Sequence, residues 1–235
     1  MHDIRDAFFL AVGLITSGDA GLWQIILLSL QVSLTAVALG CAIGIPLAAF
    51  LAVVRFRGRT AIIAILNAFM GLPPVVVGLT VYLLLSRAGP LGEFGLLYSV
   101  PAMIIAQTVL VTPLVAALAR QLIADLHEEY DEFFRSLGLG RLRMIKALIW
   151  DGRFSLVTVA LAGFGRAIAE VGAVIIVGGN INHATRVMTT TIALETSKGN
   201  LSVALALGVV LLALAVAITS AVMALKGAAS RLAYV

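Results

Sequence analysis

Two constellations in this chain carry charge where charge is expensive or unexpected. The first runs from Asp125 to Arg153 and interrupts an otherwise apolar sequence. Its acidic residues come first (Asp125, Glu128, Glu129, Asp131, Glu132), then its basic ones (Arg135, Arg141, Arg143, Lys146). Through them runs an apolar set, Tyr130, Phe133, Phe134 and Leu137, at the i, i+3, i+4, i+7 spacing of one helix face. After Gly138 and Gly140 a second set follows, Leu142, Ile145 and Ile149. The pattern predicts two short amphipathic helices with a glycine bend, outside the membrane. Such a face suits docking in a partner's groove, with Phe133 and Phe134 as anchors, or packing on the chain's own spans or on lipid headgroups. The second constellation is Arg166 and Glu170, four residues apart on one helix face inside an apolar run. A charge at mid-membrane costs about 3 kcal/mol on insertion scales, so the pair should face the protein interior or a water-filled path.

Catalytic chemistry has no comparable signal. The sequence contains no Gly-Lys dipeptide and hence no Walker A phosphate loop. The single cysteine, Cys41, lies in an apolar run, and His2, His127 and His183 are scattered without metal-ligand spacing. No cofactor or metal is expected on this chain. If ATP drives the protein, another chain must bind it.

The elements that position these residues are membrane spans. The chain of 235 residues is 61% hydrophobic and only 12% charged, with a mean hydropathy of +1.10, against about 25% charged in soluble domains. The fold class expected is all-α and integral to the membrane. Residues 1–20 contain an uncharged run too short to span and are expected to lie at the interface. The remainder, 21–235, divides into spans at about 21–54, 61–86, 100–119, 154–177 and 201–225, with the charged stretch 125–153 between the third and the fourth. Pro73 and Pro74 sit inside the second span and should break it, either lining a path or forming a packed kink. Gly40 and Gly44 have GxxxG spacing in the first span; among 22 glycines this is expected to be coincidental. Residues 178–200 are expected to form a polar loop. Arg55, Arg57, Arg59, the basic residues from Arg120 to Arg153, Lys226 and Arg231 fall on one side of this topology, and only Arg5, Arg87, Arg186 and Lys198 on the other. The positive-inside rule then puts the N-terminus outside and both the charged stretch and the C-terminus in the cytoplasm.

Glu132-Phe-Phe-Arg-Ser-Leu-Gly138, followed by a basic stretch and a new span, resembles the EAA motif of ABC importer permeases. Glu132 and Gly138 match; Phe133 and Phe134 replace two alanines, and Asp151 stands where that family has proline. Gly-Leu-Pro-Pro at 71–74 and Gly-Pro-Leu-Gly at 89–92 are similar to molybdate and tungstate permeases. The stretches 165–180, 185–191 and 194–199 resemble the tungstate-type branch.

The resemblance implies a five-span type I permease in a prokaryotic inner membrane. It implies a second copy of the chain, two copies of an ATPase subunit that carries the ATP, and an extracytoplasmic binding protein that delivers the oxyanion. Surrounding lipid is expected, and no nucleic acid. Tyr130, Glu132, Phe133, Phe134, Leu137, Gly138 and Arg141 would couple to the ATPase, and Asp151 would restart a helix as a capping carboxylate. Pro73, Pro74, Arg166, Glu170, Asn180, Arg186 and Thr189 would form the path or gate. Asn180, Thr185, Arg186 and Thr189–Thr191 offer donors to an ion that only accepts hydrogen bonds, or are simply a polar loop. Because Arg166 and Glu170 neutralise each other, a structural or gating role is expected of them rather than ligation. The competing expectation is an ion-coupled secondary transporter or channel that uses this pair.

Overall fold

A computed structural model describes Phe9, Gly13 and residues 20–233. The interfacial segment expected at 1–20 therefore lies almost wholly outside the described residues. Those residues form helices α1 (Ala20–Val53), α2 (Arg59–Phe69), α3 (Pro74–Leu85), α4 (Val100–Ser136), α5 (Arg141–Asp151), α6 (Arg153–Ile168), α7 (Gly172–Gly178), α8 (Met188–Ser197) and α9 (Leu201–Ala233). A single 3-10 turn at Gly92–Phe94 joins α3 to α4, and no strand occurs among the described residues.

Helices α1, α4 and α9 are long and apolar enough to cross a membrane. The pair α2 and α3, bent by 102°, and the pair α5 and α6, bent by 72°, bring the candidate spans to five. The bends have identifiable causes. Pro73 is extended, and Pro74 occupies the first turn of α3, where a missing N–H is harmless. Gly152 lies between α5 and α6, and a Cβ there would meet Leu126 Cδ1 at 3.0 Å.

The spine of the fold is α1 packed on α4. Here the Gly40–Gly44 spacing is a real contact and not a coincidence. A Cβ at Gly40 would lie 3.0 Å from Val111 Cγ1, and one at Gly44 3.2 Å from both Ala116 N and Thr112 O. The two glycines thus let the α4 backbone approach closely. Buried Val37, Val111, Val115, Ala119, Ile123, Leu156, Val159 and Phe164 continue this core onto α6. Val77, Val81, Met103, Ala106, Val174 and Val177 build a second core where α3 and α7 cover α4. Helix α9 is attached more lightly, through Ala206, Leu207 and Val210 against Leu22, Ile26 and Met188 and through Lys226 Nζ, which donates to Thr158 Oγ1 at 2.8 Å.

Three sequence expectations change. The first amphipathic helix of the charged stretch is not separate, because α4 runs unbroken for 37 residues from Val100 to Ser136. Nothing between Ala119 and Ser136 breaks a helix; the charges alter only what surrounds it. At 1.5 Å per residue α4 is roughly 55 Å long, so an arm of about 25 Å extends beyond a ~30 Å hydrocarbon core. The span expected at 154–177 is divided, with α6 ending at Ile168 and α7 starting at Gly172. The polar loop expected at 178–200 contains α8, because Thr191 Oγ1 donates to Val187 O (2.7 Å) and Thr190 Oγ1 accepts the Val187 N–H (3.1 Å), so the hydroxyls support the turn they sit on.

The contact between α3 and α7 tests this packing. A Cβ at Gly78 would stand 2.7 Å from Ala173 Cα, so Gly78→Ala must push the two backbones apart. Its expected cost is about 1–3 kcal/mol, as for other overpacked sites, measured by thermal unfolding of the purified protein. Gly165→Ala, where a Cβ meets nothing within 4 Å, should leave the transition unchanged or raised.

Candidate functional site: a broken span and a helical arm

The break between α6 and α7 leaves backbone groups without helical partners in a region where lipid offers none. Side chains from three elements take their place. Glu170 Oε1 accepts the Ala173 N–H at 3.1 Å, in the first turn of α7. Gln107 Nε2, from the third turn of α4, donates to Ala167 O at 3.0 Å. Thr189 Oγ1, from α8, donates to Glu170 O at 2.8 Å. Across the break, Arg166 Nη1 meets Glu170 Oε2 at 2.5 Å. The cation lies in the last turn of α6 and the carboxylate at the entry to α7, so each charge sits at the helix end whose dipole favours it.

The two charges are unequally placed. Glu170 is 3% exposed and Arg166 32% exposed. Behind Glu170 lies a cavity of about 10 Å³ lined by Ser29, Ser33, Gln107 and Thr189, near the minimum for one water. Gln107 Oε1 is buried there without a partner. Ser29 Oγ accepts the Met188 N–H at 2.8 Å and fixes the start of α8 to α1. Gln107 was not among the residues singled out from the sequence; a lone amide in the apolar run of α4 was the available signal.

The proline break of α2 and α3 adjoins this one. A Cβ at Gly172 would touch Val75 Cγ2 at 3.1 Å, Glu170 Oε1 at 3.6 Å and Pro74 Cβ at 3.6 Å. The structure therefore brings Pro73, Pro74, Arg166, Glu170 and Thr189 to one place. Asn180 and Arg186 lie at the far end of α7, roughly 10 Å further along. The expectation that this loop presents free donors changes as well. Thr189 is spent on Glu170 O. Thr185 Oγ1 donates to Gly178 O at 2.5 Å, Thr190 Oγ1 reaches Asn180 Oδ1 at 2.9 Å, and Arg186 Nη1 donates to Asn182 Oδ1 at 3.1 Å. Left-handed Asn180 and His183 (φ 50° and 58°) turn the loop tightly enough for these bonds. His183 is tied to α1 through Gln24 Nε2, which donates to His183 O at 3.1 Å.

At the end of the α4 arm, Gly138 (φ +60°) makes the reversal into α5, which begins at exposed Arg141. Phe133 (59% exposed) and Leu137 (57%) face outward, while Phe134 is only 6% exposed. Phe134 packs on Tyr130, with ring centroids 5.9 Å apart, and belongs to the core that includes Leu148. It is thus a clasp between α4 and α5 and not an outward anchor. Glu132 is exposed. The face expected at Leu142, Ile145 and Ile149 is only partly kept: Met144 and Leu148 are the residues α5 buries fully, Ile145 and Ile149 pack partly buried beside them, and Leu142 is 76% exposed. An open apolar cleft of about 330 Å³ lies here, lined by Tyr130, Phe133, Phe134, Ala147, Leu148, Trp150 and Asp151. Trp150, 70% exposed, was missed because it read as the approach to a span. Arg153 stacks between Trp150 and Phe154, its guanidinium carbon 4.7 and 4.5 Å from the two ring centres. Asp151 caps nothing; it is the last residue of α5, and Gly152 occupies the cap position without a side-chain bond.

Removing one member of the break should destabilise more than replacing both charges. Glu170→Ala leaves a cation without its partner and an N–H without its acceptor, and its expected cost is about 3–5 kcal/mol. The double variant Arg166→Met/Glu170→Gln keeps an acceptor for Ala173 and should unfold at a higher temperature than Glu170→Ala alone. Gln107→Leu abandons Ala167 O at a cost of about 1–3 kcal/mol. All three are read by thermal unfolding in one detergent.

Comparison with known proteins agrees with this architecture. The family described as binding-protein-dependent transport system inner membrane component matches residues 44–228. The chain is 42% identical over 226 residues to the tungstate uptake system permease protein TupB of Peptoclostridium acidaminophilum, covering 96% of this chain and 99% of that one. It is 40% identical over 161 residues to TupB of Campylobacter jejuni, covering 68% and 67% of the two chains. Against the molybdenum transport system permease protein ModB of Escherichia coli it is 30% identical over 172 residues, covering 70% and 75%. A chain of broken and unbroken apolar helices, matched over most of its length in this way, belongs to the inner-membrane permease components of binding-protein-dependent ABC transport systems.

Proposed function

We propose that this permease carries tungstate, or the closely similar molybdate, from an extracytoplasmic binding protein into the cytoplasm, driven by ATP hydrolysed on a partner subunit. The single observation that carries the reading is the 42% identity to a tungstate uptake permease across 96% of the chain. Two copies of the chain form the path, two ATPase subunits seat on the arms, and the N-terminus faces outward with the C-terminus in the cytoplasm. The exposed apolar faces of α2 and α9 suit a second copy and lipid.

The geometry supports a lever. One uninterrupted helix, α4, holds Gln107 at the break and Phe134 at the clasp with α5. The two are 27 residues apart, roughly 40 Å of helix. Phe133 and Trp150, exposed beside the apolar cleft, are the anchors for the ATPase, and exposed Glu132, Arg135 and Arg141 set its register. Movement of the arm then reaches Ala167 O through Gln107 without passing through a loop. At the break, Arg166 offers its exposed edge to a passing dianion while Glu170 holds it in place. That arrangement fits a gate better than a tight site, since a tight site on the path would slow release.

The test is reconstitution in liposomes with the ATPase and binding protein. Tungstate-stimulated ATP hydrolysis and uptake are expected only from the complete assembly. Uptake by the permease alone under an ion gradient would overturn the reading in favour of a secondary transporter. In the same system Phe133→Ala or Trp150→Ala should reduce ATPase co-purification more than ten-fold with the unfolding temperature unchanged. Phe134→Ala should instead destabilise the permease itself, by about 3–5 kcal/mol.

A further inference from the structure

We propose that the polar pocket between the end of α1, the start of α2 and the α4 arm binds the headgroup of phosphatidylethanolamine, its phosphate on Arg55 and Arg59 and its ammonium on Glu128 and Asp131. The pocket has a volume of about 340 Å³. Its two walls have opposite character. Ala52, Arg55 and Arg59 line one, and Ala124, His127, Glu128 and Asp131 line the other, the latter at i, i+3, i+4, i+7 on a single stripe of α4.

The charges are not used up by one another. Arg59 is fixed at the C-terminus of α1, its Nε donating to Leu51 O at 2.6 Å and its Nη2 to Ala52 O at 3.4 Å. Asp131 gives one oxygen, Oδ2, to Arg135 at 2.7 Å. Arg55 and Glu128 are exposed and make no hydrogen bond or ion pair among the described residues, and His127 Nδ1 is buried without a partner. A wholly basic pocket would accept any phosphate, and a wholly acidic one any cation. Opposed walls with one unpaired cation and one unpaired anion call for a small group that carries both charges. Arg donates in a planar fork suited to phosphate, and a primary ammonium supplies N–H donors for two carboxylates.

The place is right for a lipid. Arg55 follows closely on Val53, the last residue of the 34-residue apolar α1, so the pocket lies where the span gives way to water. Beside it Phe50 and Phe56 are exposed and pack at a tilt of 35°, with centroids 5.7 Å apart. Helix α2 buries only Leu66 and turns Ile62, Ile65 and Phe69 outward. That surface can receive the acyl chains of a lipid whose headgroup occupies the pocket. The inference requires a membrane but does not depend on which ion is carried.

The experiment is thermal unfolding of the delipidated full-length permease in detergent. Phosphatidylethanolamine, phosphatidylcholine and phosphatidylglycerol with matched acyl chains are each added at one mole fraction. Phosphatidylethanolamine should raise the transition by about 3 °C. Phosphatidylcholine, whose quaternary ammonium has no N–H, and phosphatidylglycerol, which has no ammonium, should raise it by less than a third of that. Arg55→Gln and Glu128→Gln should each abolish the increment without lowering the lipid-free transition; Arg57→Gln, outside the pocket, should keep it. Equal shifts with all three lipids, a larger shift with phosphatidylglycerol, or an increment that survives both variants overturns the proposal. So does an unchanged lipid series in Arg55→Gln and Glu128→Gln accompanied by loss of co-purified ATPase, which would assign the pocket to that subunit.

Discussion

The arrangement depends on one constraint: a backbone interrupted inside lipid must find hydrogen-bond partners within the protein. Glu170 meets it for the N–H of Ala173, and the chain around Glu170 is built accordingly. The carboxylate needs a counter-charge, which Arg166 supplies four residues earlier. Its own carbonyl needs a donor, which brings Thr189 and with it α8. The carbonyl at Ala167 needs another, which places an amide, Gln107, in the N-terminal part of α4. The start of α3 then rests on Gly172, where a Cβ would already crowd Val75 Cγ2 at 3.1 Å. Remove the break and most of these residues lose their reason to be polar.

A hydrophobic core of ordinary shape surrounds this polar knot. Close packing of α1 on α4 through two glycines makes the spine stiff, since the contact is backbone against backbone and side chain and leaves little to rearrange. Stiffness there and interruption in the neighbouring spans are complementary. Under the proposed lever, the unbroken helix would transmit displacement and the broken ones would absorb it at defined points, where a few dihedral angles can change without disturbing the core.

Much of this was legible in the residues. The membrane class, the number of apolar segments, the proline break, the glycine bend at Gly138 and the Arg166–Glu170 pairing all follow from composition and spacing. What was not legible depended on which way a face turns. Tyr130, Phe133, Phe134 and Leu137 share a stripe, yet Phe134 is buried and Phe133 exposed. The direction is set by where α5 folds back, and periodicity does not carry that information. The same holds for α5, whose buried face is Met144 and Leu148. The continuity of α4 was hidden because a change from apolar to charged looks like an element boundary when it marks only the edge of the bilayer. Thr189–Thr191 looked like solvent-facing donors because side-chain-to-backbone bonding is invisible without coordinates. Gln107 shows the reverse: an isolated amide in an apolar span was a visible signal, since burial of an amide demands a partner.

The unbroken course of α4 also bears on modularity. The charged stretch looks like a cassette that could be exchanged between permeases to change their ATPase partner. Its first half is the tail of a transmembrane helix, and Phe134 is locked into the recipient's core. A chimera joined at Asp125 would cut within one continuous helix, and a shift of a single residue at the junction would rotate every downstream side chain by about 100°. The seam that respects the architecture is Leu137–Gly140, where the helix has ended and the chain reverses. If the arm seats the ATPase as proposed, partner specificity in this chain would be tied to the span and would vary most easily at exposed positions such as Phe133, Leu142 and Trp150.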